Sequence, residues 1–271
     1  MRNRISRLKV KYINVINRRT IAAVLISFLA TWIAFRFHLV FNLDLTLISV
    51  AVVFPLVFTL GSAFQRRERA LEHLGRAKGA LSAIKYCFSY AKDVDEASLN
   101  KVYDAIGRVK SELITFLRTP ERDKQLLNNT ISEIQEFIIL HRKALGRSLS
   151  VRVYRLMRDV IMGVENTIAI KAHRTPVSIR AYCELFIYAF PFFYAPTLIK
   201  NIAFPDLSAQ EIVAQGALDF IEDRFILIVY ILNVLISFFL ITLYNIQENI
   251  ENPFDQDGID DIILDNYLID Y

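Results

Sequence analysis

The chain has 271 residues, 54% of them hydrophobic and 22% charged, which is more apolar than the roughly 45–50% of an ordinary soluble domain. The excess sits in two blocks, residues 20–60 and 181–245, so the composition excludes a single soluble globule and points to a membrane protein with a substantial soluble part. The net charge of +4 is unevenly spread: residues 1–19 hold seven Lys/Arg and no acid, residues 65–180 hold 22 basic against 13 acidic, and beyond them only Lys200 and Arg224 are basic; a membrane protein with its basic parts on the cytoplasmic side accounts for this, and no nucleic-acid partner is expected.

Residues 1–19 read as a basic cytosolic arm with interspersed Ile5, Leu8, Tyr12, Val15 and Ile16, suited to an anionic membrane surface. A cleavable signal peptide is not expected, since no small-residue cleavage box follows and a second apolar block lies close behind. Residues 20–64 are expected to hold the first two membrane helices. The second contains Pro55, whose missing N–H removes one helical hydrogen bond. It runs without a turn signal into Leu71, Leu74, Ala77, Leu81, Ile84 and Phe88 at helical spacing, so one helix should continue far beyond membrane length.

Residues 65–180 are expected to form a cytosolic helical domain. Val102, Ile106, Val109, Leu113 and Leu117 share a face of one helix, which stops before Pro120. Leu127, Ile131, Ile134 and Ile138 mark a second, stopping near Leu145-Gly146, and Val153, Met157, Val160, Val164 and Ile168 a third, ending before Pro176. With the extension of the second membrane helix this makes a bundle.

Residues 181–245 hold the third and fourth expected spans, joined by an external connection at 201–223. Four spans put both termini and the middle domain in the cytoplasm, in agreement with the Lys/Arg count. Residues 246–271 form an acidic cytosolic segment: eight carboxylates and no base follow from Glu248 onward. Because Asn252-Pro253-Phe254, Gly258 and spaced Ile and Leu interrupt the charge, the segment reads as folded back onto the basic arm or the cytosolic domain.

No enzyme site assembles. The four histidines are scattered over separate elements, no HExxH, GxSxG, CxxC or phosphate-cradling Gly-rich loop is present, and Cys87 and Cys183 read as buried thiols. Two patterns remain. Leu56, Leu60 and Phe64 recur every four residues, which is a packing stripe in a single-chain bundle but a stack of apolar collars in a ring of identical subunits. Asn249, Asn252, Asp257 and Asp260 supply oxygens of the kind Ca²⁺ requires, although pairing with Arg and Lys is the more economical role. A non-conducting membrane scaffold or sensor is the alternative to a channel.

Three stretches carry a resemblance. Asn252-Pro253-Phe254 followed by acids resembles the Asn-Pro-Phe-Gly-acidic signature of the bestrophins, with Asp255 in place of the glycine. Thr175-Pro176-Val177-Ser178-Ile179-Arg180 resembles the family's stretch before its third membrane helix. Residues 61–75 occupy the position of its aromatic and arginine motif, without the tryptophans: the chain reads Leu71-Glu72-His73-Leu74-Gly75-Arg76 there, and its single Trp is Trp32. The resemblance implies an all-α, bestrophin-like pentamer with four transmembrane helices per subunit and a cytosolic helical bundle around one axial pore. It implies an apolar neck at Leu56, Leu60 and Phe64, passage of small inorganic ions (chloride or monovalent cations), and no enzymatic activity. It further implies a calcium clasp drawing on Asn249, Asn252, Asp257 and Asp260, with Asp257 and Asp260 as the metal-binding carboxylates. The expected location is a bacterial plasma (inner) membrane, with the lipid bilayer and identical subunits as partners.

Overall fold

The structure is a computed structural model that describes residues 16–119, 122–214, 216–256 and 260–267. Its described part is helical: α1 (Arg18–Arg36), α2 (Leu45–Ser89), α3 (Glu96–Arg118), α4 (Gln125–Leu140), α5 (Arg142–Ala172), α6 (Val177–Leu198, continued by a π-turn over Ile199–Ala203), α7 (Ala209–Ala214) and α8 (Asp223–Glu251). Short 3₁₀ turns follow at Ala217–Phe220 and Leu264–Tyr267. Helices α1, α2, α6 and α8 are long and apolar enough to cross a membrane. The contacts divide the chain into two units, Met1–Ala63 with Thr175–Asn249 and Phe64–Arg174 with Ile250–Tyr271.

In the first unit α1 starts at a capping box: Asn17 Oδ1 accepts from the Arg19 and Thr20 amides, and Thr20 Oγ1 accepts from the Asn17 amide. The inner face of α1 is small and polar, with Thr20, Ala23, Ser27, Ala30, Thr31 and Ala34 all buried. Small residues let a second helix approach closely, and α8 meets them with buried Asn233, Ser237 and Asn245. The Asn233 amide donates to Ser27 O (3.1 Å) and Thr31 Oγ1 (2.8 Å), and the Asn245 amide donates to Thr20 Oγ1 (2.9 Å). At one end Arg19 pairs with Glu248 of α8 and approaches Glu184 of α6.

The second unit has the opposite grain. Ala70, Leu74, Ala77, Leu81, Ile84 and Phe88 of α2 pack with Val102, Ile106 and Val109 of α3, Leu127, Ile134 and Ile138 of α4, and Val153, Met157 and Val160 of α5 in one apolar core. Gly163 lets α5 lie directly on α2, because a Cβ there would stand 2.8 Å from His73 O and 3.0 Å from the Ala77 Cβ. Asp95 caps α3 by accepting from the Ser98 amide, and the Ser98 side chain together with that amide holds its carboxyl below the usual carboxylate range. At the other end of α3, the Lys171 ammonium donates to the carbonyls of Phe116 and Thr119. The break expected near Leu145-Gly146 takes two steps: α4 ends at Leu140, and Gly146 (φ 68°, ψ 170°) bends the first turn of α5, a conformation that favours glycine. Arg66 of α2 in turn donates to Ile170 O and His173 O at the end of α5.

The C-terminal segment belongs to this second unit. Phe254, Ile262 and Leu264 are fully buried in its core. Cations of the bundle hold the chain between them: Arg67 donates to Asp260 O (2.6 Å), Lys78 to Asn266 O (2.9 Å) and Arg118 to the Asp265 carboxylate (2.7 Å). Of the two docking sites expected for this segment, the described residues occupy the helical domain; residues 1–15 of the basic arm lie outside the described residues.

Candidate functional site

The candidate site is built on α2. Within the first unit this helix is apolar on every side, so burial rather than polarity distinguishes its faces. Val52 and Leu56 point into the unit, where they pack with Ala23 of α1, Cys183, Ile187 and Phe190 of α6, and Leu240, Ile241 and Tyr244 of α8. Ala63 and Thr59 are buried on the same side, and the Thr59 hydroxyl donates to Leu56 O (2.9 Å). The opposite face carries Val50, Phe54, Val57 and Phe58, all exposed, with Ser62 one turn further on. The Phe54 and Phe58 rings stand edge to face with centroids 4.5 Å apart.

The residues singled out from the sequence are therefore not equivalent. Leu56 is 1% exposed and fills the interior of its own helix cluster, Leu60 is partly buried, and Phe64, at the start of the second unit, is exposed. Leu56 packs within the helix cluster of its own subunit here. The outward four-residue stripe is Phe54, Phe58 and Ser62, two positions earlier. The pattern from Leu56 to Phe64 is a true helical repeat, but a helix apolar all round repeats equally well on every face.

Pro55 shapes the same stretch. It has no N–H to offer Ala51 O, and its ring crowds that carbonyl. The hydroxyl of Tyr182, in the first turns of α6, donates to Ala51 O at 3.4 Å. Sequence reading missed this residue, though the rule that an interior proline frees the carbonyl four positions back marks Ala51 as needing a donor.

The proposed cation ligands are divided between the units. Asn249 ends the first unit on an exposed face of α8, while Asn252 and Asp260 belong to the second. The Asn252 amide donates to the Asp255 carboxylate (2.7 Å), Asp260 is exposed with its carbonyl taken by Arg67, and Asp257 lies outside the described residues. Among the described residues no three His, Cys, Asp or Glu side chains are grouped to hold a metal ion. Cys87 and Cys183 are free and buried.

Comparison with known proteins decides the fold. No family model matches the chain, and no curated protein matches it. Solved structures do. A bacterial bestrophin homolog from Klebsiella pneumoniae superposes with a TM-score of 0.73 over 92% of this chain and 94% of that one, at 13% identity. A second structure of a Klebsiella pneumoniae bestrophin homolog gives 0.71 over 92% and 93%, at 12% identity. A structure described only as a membrane protein gives 0.71 over 96% of this chain and 94% of that one, at 13% identity. The chain has the bestrophin fold. The match spans nearly the whole length of both chains, so the bestrophin fold here includes the four membrane-length helices and the helical bundle together.

Proposed function

We propose that this chain is an ion channel of the bestrophin type, in which five copies surround one axial path for small inorganic ions, chloride or monovalent cations. The observation that carries the reading is the outward face of α2: Phe54 and Phe58, on a membrane-length helix, are left uncovered by their own chain while Leu56 behind them is sealed in. An open apolar face on α2 suits lipid as well as a ring, and the whole-chain likeness to a bacterial bestrophin homolog is what favours the ring. A ring of subunits uses both faces, one to hold the helix and the other to narrow the path. In this reading Phe54, Phe58 and Ser62 form the neck, and the register of Leu56, Leu60 and Phe64 is the rival assignment. Aromatic collars gate by size and wetting and discriminate weakly between signs of charge. The chain lies in a bacterial inner membrane with both termini in the cytoplasm, as the distribution of Lys and Arg supports.

One observation favours the alternative of a non-conducting scaffold: the burial of Leu56 against α1, α6 and α8 is what a helix wrapped by its own neighbours shows. Flux through liposomes separates the two. The double change Phe54→Ala and Phe58→Ala should raise ion flux severalfold. Leu56→Ala should leave flux per folded channel unchanged and lower stability only through the cavity it leaves. Flux that rises with Leu56→Ala and not with the Phe pair restores the other register, and a monodisperse single subunit that passes no ions leaves the scaffold. Calcium titration of the same flux, with and without Asp260→Ala, tests the clasp; a clasp predicts a calcium response that the substitution weakens.

A further inference from the structure

We infer that Tyr182 is a positioning residue for α2, and that its hydroxyl takes the place of the amide hydrogen Pro55 lacks. An interior proline leaves the carbonyl four residues earlier without its helical donor and pushes it outward. Ala51 O is that carbonyl, and in a membrane-length helix no water stands ready to satisfy it. The donor supplied is the Tyr182 hydroxyl, 3.4 Å away on α6. The rest of α6 holds the tyrosine in place. Its neighbour Cys183 is buried against α2 in the cluster that contains Val52 and Leu56, and the Tyr182 ring lies against Phe186 with centroids 4.3 Å apart. The helix α2 is thus attached on both sides of its proline, through Ala51 by a hydrogen bond and through Leu56 by packing, and both attachments draw it toward its own chain.

The functional consequence rests on the channel reading. Phe54 lies between the two attachments in sequence, one helical turn from Ala51, and is exposed, so a tether on Ala51 fixes the turn that carries the aromatic collar. Without the tether, the segment before Pro55 is free to lean outward and narrow the path. Tyr182 therefore sets how wide the collar stands without touching an ion.

The test is a double-mutant cycle between Tyr182→Phe, which removes only the hydroxyl, and Pro55→Ala, which returns an amide hydrogen to Ala51 O. In the native background Tyr182→Phe should lower ion flux about fivefold, the equilibrium worth of one net hydrogen bond. In the Pro55→Ala background the same change should have no effect, because the carbonyl is already satisfied. An equal loss in both backgrounds means that the ring acts by packing alone and overturns the inference, as does an unchanged flux in the native background. If Pro55→Ala does not fold, Pro55→Ser supplies the same amide. The thermal midpoint of the four proteins in detergent provides a second readout independent of conduction. Should the native protein pass no ions, the channel reading fails; a midpoint lowered by Tyr182→Phe only when Pro55 is present still upholds the bond, and additive midpoints reject it.

Discussion

Helix α1 and the core of the second unit are built from opposite rules. In the first, the interior of α1 is alanine, serine and threonine, and its large apolar side chains, Leu25, Phe28 and Trp32, point outward. In the second, leucine, isoleucine, valine and phenylalanine are inside, and the outer surface carries pairs such as Arg76 with Asp159, Arg108 with Glu133 and Lys124 with Glu165. The difference is one of solvent. Lipid tails are as apolar as leucine, so burying leucine between membrane helices gains little, and close backbone approach with a few hydrogen bonds does the work instead. Water drives apolar side chains together and solvates charges at little net gain. The burial pattern of α1 fits a helix that meets lipid, and that of the second unit fits a bundle that meets water.

The sharpest way to break this comparison is to remove a large side chain from the interior of the second unit. Phe254 is fully buried although it lies in the acidic C-terminal segment, and Phe254→Ala should cost about 3–5 kcal/mol, as for other buried phenylalanines. Chemical denaturation monitored on the detergent-solubilised protein measures it. A loss below about 1 kcal/mol, the scale of an ordinary surface substitution, would mean that the segment is a loosely attached tail and that its burial contributes nothing.

A smaller effect is expected in the first unit, where polarity replaces volume. Asn233→Leu keeps the size and removes two donated bonds, to Ser27 O and Thr31 Oγ1. Intramembrane hydrogen bonds of this kind are worth about 1 kcal/mol, so Asn233→Leu should cost far less than Phe254→Ala. Pairing it with Thr31→Val should show coupling, since both changes remove one shared bond; additive losses would separate Asn233 from α1.

These contrasts also explain what is legible in the sequence. The start of α1 is written in Asn17 and Thr20, the start of α3 in Asp95, and the bend in α5 in Gly146, because each position needs a residue type that few others replace. The core of the second unit follows from its 3.6-residue periodicity, since water makes the polar and apolar faces distinct. Which face of α2 its own chain covers does not follow. Phe54, Leu56, Phe58 and Leu60 are all apolar on a helix apolar all round, and only packing against Ile187 and Tyr244 separates Leu56 from Phe54. The Tyr182 bond joins residues 131 positions apart; Pro55 reveals that a donor is needed, but the fold determines which side chain supplies it.

The smallest expected effect belongs to the surface of the second unit, where one pH-dependent contact tests whether charge there acts through geometry. The Asp95 carboxylate accepts from the Ser98 amide at 3.1 Å, and the Ser98 side chain first, then that amide bond, aided by nearby His141, keep its pKa below the ordinary carboxylate value. A depressed pKa in the folded chain means that folding favours the ionised form. The contribution is therefore complete above the unfolded-state pKa and disappears as the pH falls through the lower, folded-state value. Asp95→Ala should lower the thermal midpoint at neutral pH by a few degrees at most, and the gap from the native protein should close in acid. Arg108→Ala, which breaks an exposed pair with Glu133, should shift the midpoint less still and lose its effect in high salt. A gap at Asp95 that persists in acid would mean that the neutral carboxyl caps the helix as well as the ionised one, and would overturn the charge-dependent reading.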